Sequence, residues 1–178
     1  MDTVTPEKRS WVMSRIRSTN TKPEMAVRSM LHGMGLRFRL HGRVSKRIHR
    51  KGILPGKPDI VLASRRTVVF VHGCFWHRHE GCRLVSTPKT NQEFWNAKFE
   101  RNVERDKRHC LELEDMGWRV IIVWECELRS LETLAERLQQ LLLGKTPPVI
   151  PYGKAEPDDL PMVAEESAEY HTGEDSEE

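Results

Sequence analysis

The chain has 178 residues, of which 38% are hydrophobic and 31% are charged, and its formal net charge is +3. This length allows one domain with a proper core, plus an appendage. No apolar run approaches the ~20 residues of a membrane span, and no charged-then-apolar leader is present. We therefore expect a cytoplasmic protein without membrane contacts.

The net charge is unevenly distributed along the chain. Residues 146–178 hold ten Asp/Glu against one Lys, a net of −9, whereas residues 1–145 hold 28 Lys/Arg against 16 Asp/Glu, a net of +12. A basic domain is typical of nucleic-acid binders, because Lys and Arg displace counterions from phosphates, although a merely solvated surface has the same composition. We predict a domain at 1–145 and an acidic, disordered tail at 146–178.

Two helices are predicted near the N-terminus. A basic helix at 6–17 has Thr5 as its cap and Pro6 in its first turn. A second helix begins after Thr21, with Glu24 at the spacing of a capping box. The cap by itself accounts for Glu24.

A half-exposed strand at 36–40 leads into a basic loop at 41–57. The loop contains six Lys/Arg and no Asp or Glu, and it has no apolar period. Because loops of this length are uncommon in compact domains unless they are functional or disordered, two interpretations stay open: a phosphate-contacting arm and a solvated insertion.

A β-hairpin follows, with strands at 59–63 and 67–71. Asp59 begins the first strand, and Val71 and His72 end the second, so antiparallel pairing makes them neighbours. A carboxylate there suits Mg²⁺, which prefers oxygen ligands, although a lone Asp at a strand start is more often a turn residue.

Helices and a strand alternate in the C-terminal part. A helix at 90–116 is capped by Thr90 and carries Cys110, which we expect to pack as a small apolar group. A buried strand at 118–124 follows, and leucines at helical spacing from Leu131 onward predict a last helix that covers the sheet.

Three cysteines and a histidine form a candidate metal site. Cys74, His79 and Cys82 have the spacing Cys-x₄-His-x₂-Cys, and Cys126 follows a later strand. Such a Cys₃His set suits structural Zn²⁺, and disulfides are rare in a reducing compartment. Buried free thiols beside a surface histidine are the alternative.

The same loop holds a candidate base and two rings. His77 lies between the metal ligands and could act as a general base on water. Phe75 and Trp76 are adjacent. Core packing is the simplest interpretation of such a pair. However, neighbours on an extended chain point opposite ways, so an exposed ring could stack on or wedge between bases.

At these residues the sequence resembles the very short patch repair endonucleases, bacterial DNA mismatch nicking enzymes with a restriction-endonuclease-like fold. Similarity covers roughly residues 6–143. The matching segments are Met13-Ser14-Arg15-Ile16, Glu24, Pro58-Asp59, residues 70–79, residues 102–106, residues 117–120 and Trp124-Glu125-Cys126.

The resemblance implies an α/β fold with a restriction-endonuclease-like mixed central sheet, flanking helices and a structural zinc site. It implies a Mg²⁺-dependent endonuclease that nicks double-stranded DNA 5′ of the thymine in a T:G mismatch. Such mismatches arise when 5-methylcytosine deaminates, so the nick would initiate very short patch repair. It further implies a monomer, with mismatch-repair proteins as additional partners.

Roles for individual residues follow from the same resemblance. Asp59 and the backbone carbonyl of Val71 would hold Mg²⁺. His77 would activate the attacking water, and His72 would contact the scissile phosphate.

Supporting and wedging roles are implied as well. Glu24 and Asp106 would support the histidines and the hydrated metal. Phe75, Trp76 and Met13 would intercalate near the mismatch.

The chain departs from the family pattern in two places. It has one more residue between His79 and Cys82, and its loop at 41–57 is longer. Two other functions compete with the mismatch nuclease: a restriction-type nuclease that cuts unmispaired duplex at a defined sequence, and a non-catalytic, zinc-stabilised DNA-binding module.

Overall fold

The computed structural model describes residues 8, 11, 15 and 19–144. Most of the predicted helix at 6–17, including Met13, and the whole acidic tail at 146–178 lie outside the described residues. The division into domain and tail therefore stays a prediction.

In the described chain a run of three strands lies between two helices, and a fourth strand precedes the last helix. In order they are α1 (Lys22–Gly33), β1 (Arg39–Leu40), β2 (Ile60–Leu62), β3 (Thr67–His72), α2 (Gln92–Asp115), β4 (Arg119–Trp124) and α3 (Leu131–Leu143), with 3₁₀ turns at Ala63–Arg65 and Glu125–Arg129. No helix within 19–144 is long and apolar enough to cross a bilayer.

The four strands form one mixed sheet in the order β1-β2-β3-β4. β1, β2 and β3 pair antiparallel, as the predicted hairpin requires. β3 and β4 pair parallel, in a register that runs from Thr67↔Arg119 to His72↔Trp124, because the long helix α2 carries the chain back to the start of the sheet. The predicted mixed central sheet flanked by helices is confirmed.

Both faces of the sheet are covered, which explains the continuous apolar runs of β2, β3 and β4. One face packs against α1 and α3 through Val27, Leu31, Leu36, Ile60, Leu62, Val69, Ile121, Val123, Leu134, Leu138 and Leu142. The other face packs against α2 through Val44, Leu54, Val61, Val68, Phe70, Cys110, Leu113, Trp118, Val120 and Ile122. Cys110 thus packs as a small apolar group, as predicted.

The capping box of α1 is confirmed. Glu24 N–H donates to Thr21 Oγ1 at 3.4 Å, and Thr21 N–H donates to Glu24 Oε1 at 3.4 Å. This reciprocal pair satisfies two donors that the first helical turn leaves open. It also fixes the Glu24 side chain in a buried position.

Two element boundaries differ from the sequence prediction. The predicted cap at Thr90 is wrong: Asn91 occupies the N-cap in a left-handed conformation (φ 56°), without a side-chain capping hydrogen bond, and asparagine tolerates this conformation well. The strand predicted at 36–40 is limited to Arg39 and Leu40, because only these two residues lie opposite the short strand β2.

Candidate active site and metal centre

Asp59 lies immediately before β2, and its side chain reaches the end of β3. Val71 N–H donates to Asp59 Oδ2 at 2.8 Å, so the hairpin brings these residues together as predicted. Burial raises the pKa of Asp59 to about 6; the Val71 N–H opposes this shift, and the Glu24 carboxylate adds to it. A bound cation would offset the cost of this poorly solvated negative charge, and carboxylate oxygen is a ligand that Mg²⁺ prefers. The site therefore fits the metal that the sequence predicts.

Glu24 lies on the Asp59 side of the site. Its Oε2 accepts hydrogen bonds from Asn20 N–H at 3.0 Å and from Arg28 Nη2 at 2.7 Å. Arg28 partly compensates both carboxylates, since its charge lowers the pKa of Asp59. Glu24 is therefore at once a helix cap and a neighbour of the candidate metal ligand.

His72 and His77 form a stacked pair where β3 ends. Their ring centroids are 3.9 Å apart and their planes differ by 9°. A tight turn brings His77 back over the strand, since His77 N–H and Trp76 N–H both donate to the Gly73 carbonyl. Burial, followed by the charge of His77, lowers the pKa of His72 to about 3. The His72 ring is therefore neutral at pH 7.

Asp106, on α2, holds the ring of His77. His77 Nδ1–H donates to Asp106 Oδ2, and Arg105 Nη2 donates to Asp106 Oδ1 at 3.1 Å. Burial raises the pKa of Asp106, but the hydrogen bond from His77 and the charge of His77 outweigh burial, and the pKa lies below its usual value. An ionised carboxylate at Nδ1 leaves Nε2 as the nitrogen with a free lone pair, the arrangement that a general base requires.

The predicted zinc ligands converge. The ligand atoms of Cys74, His79, Cys82 and Cys126 all lie within 4.8 Å of one another. His79 Nδ1 is 3.7 Å from Cys74 Sγ and 3.3 Å from Cys126 Sγ. Tetrahedral zinc with Zn–S bonds of ~2.3 Å sets neighbouring ligand atoms about 3.8 Å apart, so both the donor set and its spacing fit Zn²⁺.

Cys82 joins this cluster despite the extra residue before it. Gly81 adopts a left-handed conformation (φ 66°), which glycine takes at little cost. The conformation turns the longer segment back toward His79, and Cys82 N–H donates to the His79 carbonyl at 3.3 Å. The loop thus accommodates the additional residue, and Cys82 stays within the Cys/His cluster.

Trp124 lies between the candidate Cys/His metal site and the stacked pair His72 and His77. The His79 ring stacks on this indole at 4.2 Å, with planes 6° apart. The ring of His72 meets it edge-on at 5.5 Å and 71°. The sequence predicts Trp124 only as the end of a buried strand, because its contacts depend on the parallel pairing of β3 with β4.

Phe75 and Trp76 belong to a partly exposed aromatic cluster. They meet edge to face at 5.0 Å, and Phe75 also contacts Trp95 and Phe99 of α2 at 5.9 Å and 5.1 Å. The two residues lie in a turn, so the expectation that an extended chain points them apart is wrong. Sequence reasoning gives Trp95 no functional role, although the adjacent pair Phe94-Trp95 at the start of a highly charged helix could have drawn attention to it.

The chain is similar to a known protein family and to several known proteins. The sequence model of the family described as DNA mismatch endonuclease Vsr matches residues 1–83. Type II nicking enzyme V.XorIIP of Xanthomonas oryzae pv. oryzae is 51% identical over 141 residues, covering 79% of this chain and 96% of that protein. DNA mismatch endonuclease Vsr of Escherichia coli is 43% identical over 142 residues, covering 77% and 85%. Among solved structures, the catalytic domain of homing endonuclease I-Bth0305I matches with a TM-score of 0.43 and 21% identity, covering 68% of this chain and 93% of that one.

Proposed function

Since the chain belongs to the Vsr family of DNA mismatch endonucleases, we propose that it nicks double-stranded DNA 5′ of the thymine in a T:G mismatch. Deamination of 5-methylcytosine creates this mismatch, so the nick would initiate very short patch repair. The observation that carries the proposal is the assembly of Asp106, His77 and His72 at the end of β3. This assembly lies next to Val71, whose backbone N–H donates to the Asp59 carboxylate.

Asp59 and the backbone carbonyl of Val71 are the proposed ligands of the catalytic Mg²⁺. When bound, this metal would neutralise charge that develops on the scissile phosphate. Glu24, whose charge acts on Asp59, would accept hydrogen bonds from water at the site.

His77 is the proposed general base. Its Nε2 would take a proton from the attacking water, and Asp106 would stabilise the resulting imidazolium through the hydrogen bond at Nδ1. The neutral ring of His72 would donate an N–H to the scissile phosphate. Its Nδ1 is buried and has no hydrogen-bond partner within the described part of the chain, so the N–H that reaches the phosphate would be that of Nε2.

Structural Zn²⁺, held by Cys74, His79, Cys82 and Cys126, is proposed to brace the turn that carries His77. The turn also carries Phe75 and Trp76, which we propose as wedges between bases next to the mismatch, together with Met13. Inserted rings of this kind unstack a base step and bend the duplex. A mispaired step opens at lower cost than a paired one, which would favour mismatched sites.

Beyond the site itself, we propose that the chain acts as a monomer in the cytoplasm. Mismatch-repair proteins are the proposed partners besides DNA. Size-exclusion chromatography with light scattering of the full chain, alone and with a mismatched duplex, tests the monomer: two protein chains per particle, or two per duplex, would contradict it.

A matched pair of duplexes tests the proposed reaction. One sequence is prepared with a T:G or a T:A pair at the same position, end-labelled, and incubated with and without Mg²⁺. We expect a single nick 5′ of the mispaired thymine, dependent on Mg²⁺, and no nick in the T:A duplex.

Relatives that carry the name type II nicking enzyme favour a second candidate, a nuclease that cuts a defined sequence without a mispair. Equal nicking of both duplexes at one sequence would support that candidate and contradict ours. Binding without any Mg²⁺-dependent nick would leave only a DNA-binding module.

A further inference from the structure

The basic loop, residues 41–57, is attached directly to the segment that carries the candidate metal ligand. At its start, His41 N–H donates to the Asp59 carbonyl at 3.2 Å, and Gly42 N–H donates to the Pro58 carbonyl at 2.7 Å. The two ends of the loop touch, because a Cβ on Gly42 would lie 2.9 Å from Lys57 Cα. The loop therefore projects from the rim of the candidate active site.

Backbone pairing and burial hold the loop in one conformation. Leu54 N–H donates to the Gly42 carbonyl at 2.9 Å, and Val44 N–H donates to the Gly52 carbonyl at 3.0 Å. The side chains of Val44 and Leu54 are buried against the α2 face of the sheet. An anchored loop loses less conformational entropy on binding than a free one, which argues against a merely solvated insertion.

Within the described part of the chain, the cations of the basic loop form no salt bridge. All six of its Lys/Arg side chains are exposed. The loop itself contains no Asp or Glu. Its cationic residues are Arg43, Lys46, Arg47, Arg50, Lys51 and Lys57.

We propose that the basic loop binds backbone phosphates of the duplex beyond the nick site and so lengthens the stretch of DNA that the enzyme holds. The inference rests on the proposed function, since it takes duplex DNA at the neighbouring site as given. Duplex DNA presents one negative charge per ~1.7 Å of axis, so a group of exposed cations beside the site can neutralise several phosphates. Because the proposed contacts go to phosphates rather than to base edges, they would be independent of sequence and of the mismatch.

Four side chains at the outer part of the loop provide the test. The full chain with Lys46→Gln, Arg47→Gln, Arg50→Gln and Lys51→Gln is compared with a control that keeps the charge, with Lys46→Arg, Arg47→Lys, Arg50→Lys and Lys51→Arg. All eight changes affect exposed side chains, and thermal melting checks that both variants fold. Affinity for the T:G and T:A duplexes is measured by fluorescence anisotropy over a range of salt concentrations.

We expect the neutral variant to bind both duplexes at least tenfold more weakly. Its slope of log K against log [salt] should be smaller by roughly 2–4, since each phosphate contact contributes ~0.9. The stretch of DNA that the protein protects from hydroxyl radicals should be shorter on one side of the nick. The T:G to T:A ratio and the nicking rate at saturating DNA should be unchanged, and the charge-conserving control should match the wild type.

Unchanged affinity and salt slope in the neutral variant would overturn the inference, and so would a loss of mismatch preference with affinity retained. The proposed function fails separately, if the wild-type chain does not distinguish T:G from T:A. The salt slopes of the two variants would still decide the role of the loop in that case.

Discussion

His72 and His77 stack face to face, with ring centroids 3.9 Å apart. Two imidazolium ions at this distance would repel each other, and the low pKa of His72, which burial and the charge of His77 lower to about 3, keeps one ring neutral. The pair can therefore carry at most one positive charge at a time. Within the described residues, Asp106 is hydrogen-bonded to the His77 ring and makes no such contact with His72, so the carboxylate faces the ring that is proposed to take up a proton.

Removing the proposed base should abolish most of the activity. His77→Ala is expected to lower the single-turnover nicking rate by 10²–10⁴, about the contribution of a general base, while affinity for DNA changes less than threefold. Asp106→Asn should have a smaller effect in the same direction. An amide can hydrogen-bond to Nδ1 whether or not that nitrogen is protonated, but it does not stabilise the imidazolium as a carboxylate does. Gel-based nicking of a T:G duplex measures both rates. Full activity of His77→Ala would remove His77 from the mechanism.

Asp59 should show a trade-off between stability and activity. Its pKa is about 6 in the folded protein, against 3.8 as the ordinary value, so between these values the folded state binds more protons than the unfolded state. The contribution of Asp59 to the free energy of unfolding therefore falls as pH rises from about 4 to 6, and it stays low at higher pH. Asp59→Asn should stop nicking and, at pH 8 without Mg²⁺, raise the free energy of unfolding by roughly 1–2 kcal/mol. This is less than the ~3 kcal/mol of a full shift, since the side chain is partly exposed.

Urea unfolding of both proteins at pH 4 and pH 8 checks this sign. The difference between wild type and Asp59→Asn should shrink at pH 4, where Asp59 of the folded wild type is protonated and uncharged like asparagine. A variant that is less stable than wild type at pH 8 would contradict the assignment of Asp59 as a poorly solvated carboxylate.

Zinc should be required for the shape of the turn rather than for the chemistry. Cys126→Ser should lower the zinc content measured by atomic emission from one per chain to well below one and lower the melting temperature, because structural zinc contributes directly to folding. Cys110→Ala, which alters the cysteine outside the cluster, is the matched control and should retain a full equivalent of zinc. Equal zinc content in the two variants would exclude Cys126 as a ligand.

Cys110 should be chemically inert in the native protein. It is buried in the core, and burial raises the pKa of its thiol to about 12, so almost no thiolate is present at pH 8. Mass spectrometry after iodoacetamide treatment should find Cys110 unmodified without denaturant and modified in urea. Rapid native alkylation would show that the core opens around α2.

The aromatic cluster should be required for efficient nicking at the mismatch. Trp76→Ala is expected to lower the nicking rate on T:G duplex at least tenfold, because the wedge that unstacks the mispaired step is lost. Phe94→Ala is a suitable control, since Phe94 is exposed at the outer edge of the same cluster and contacts Trp95. Equal effects of the two substitutions would indicate general loosening of the cluster rather than a wedge.

Local features of this chain follow from its sequence, and features that depend on packing do not. The capping box at Thr21 and Glu24 is a contact between residues three positions apart, so spacing alone predicts it. The place of Cys126 beside Cys74 could be predicted because both follow strands. By contrast, Asp106 approaches His77 from the middle of a helix 29 residues away in sequence, and only the resemblance to a known family pointed to it.

β3 and β4 end at the same point of the sheet, where His72 is paired with Trp124. This register restricts where the chain tolerates changes in length. An insertion within either strand would shift the stacked pair His72 and His77 by one residue relative to the Cys/His cluster. The additional residue before Cys82 and the long segment at 41–57 both fall outside the paired strands. Diversification of the molecule is therefore expected to accumulate in these peripheral segments, while the two strands evolve as a unit of fixed length.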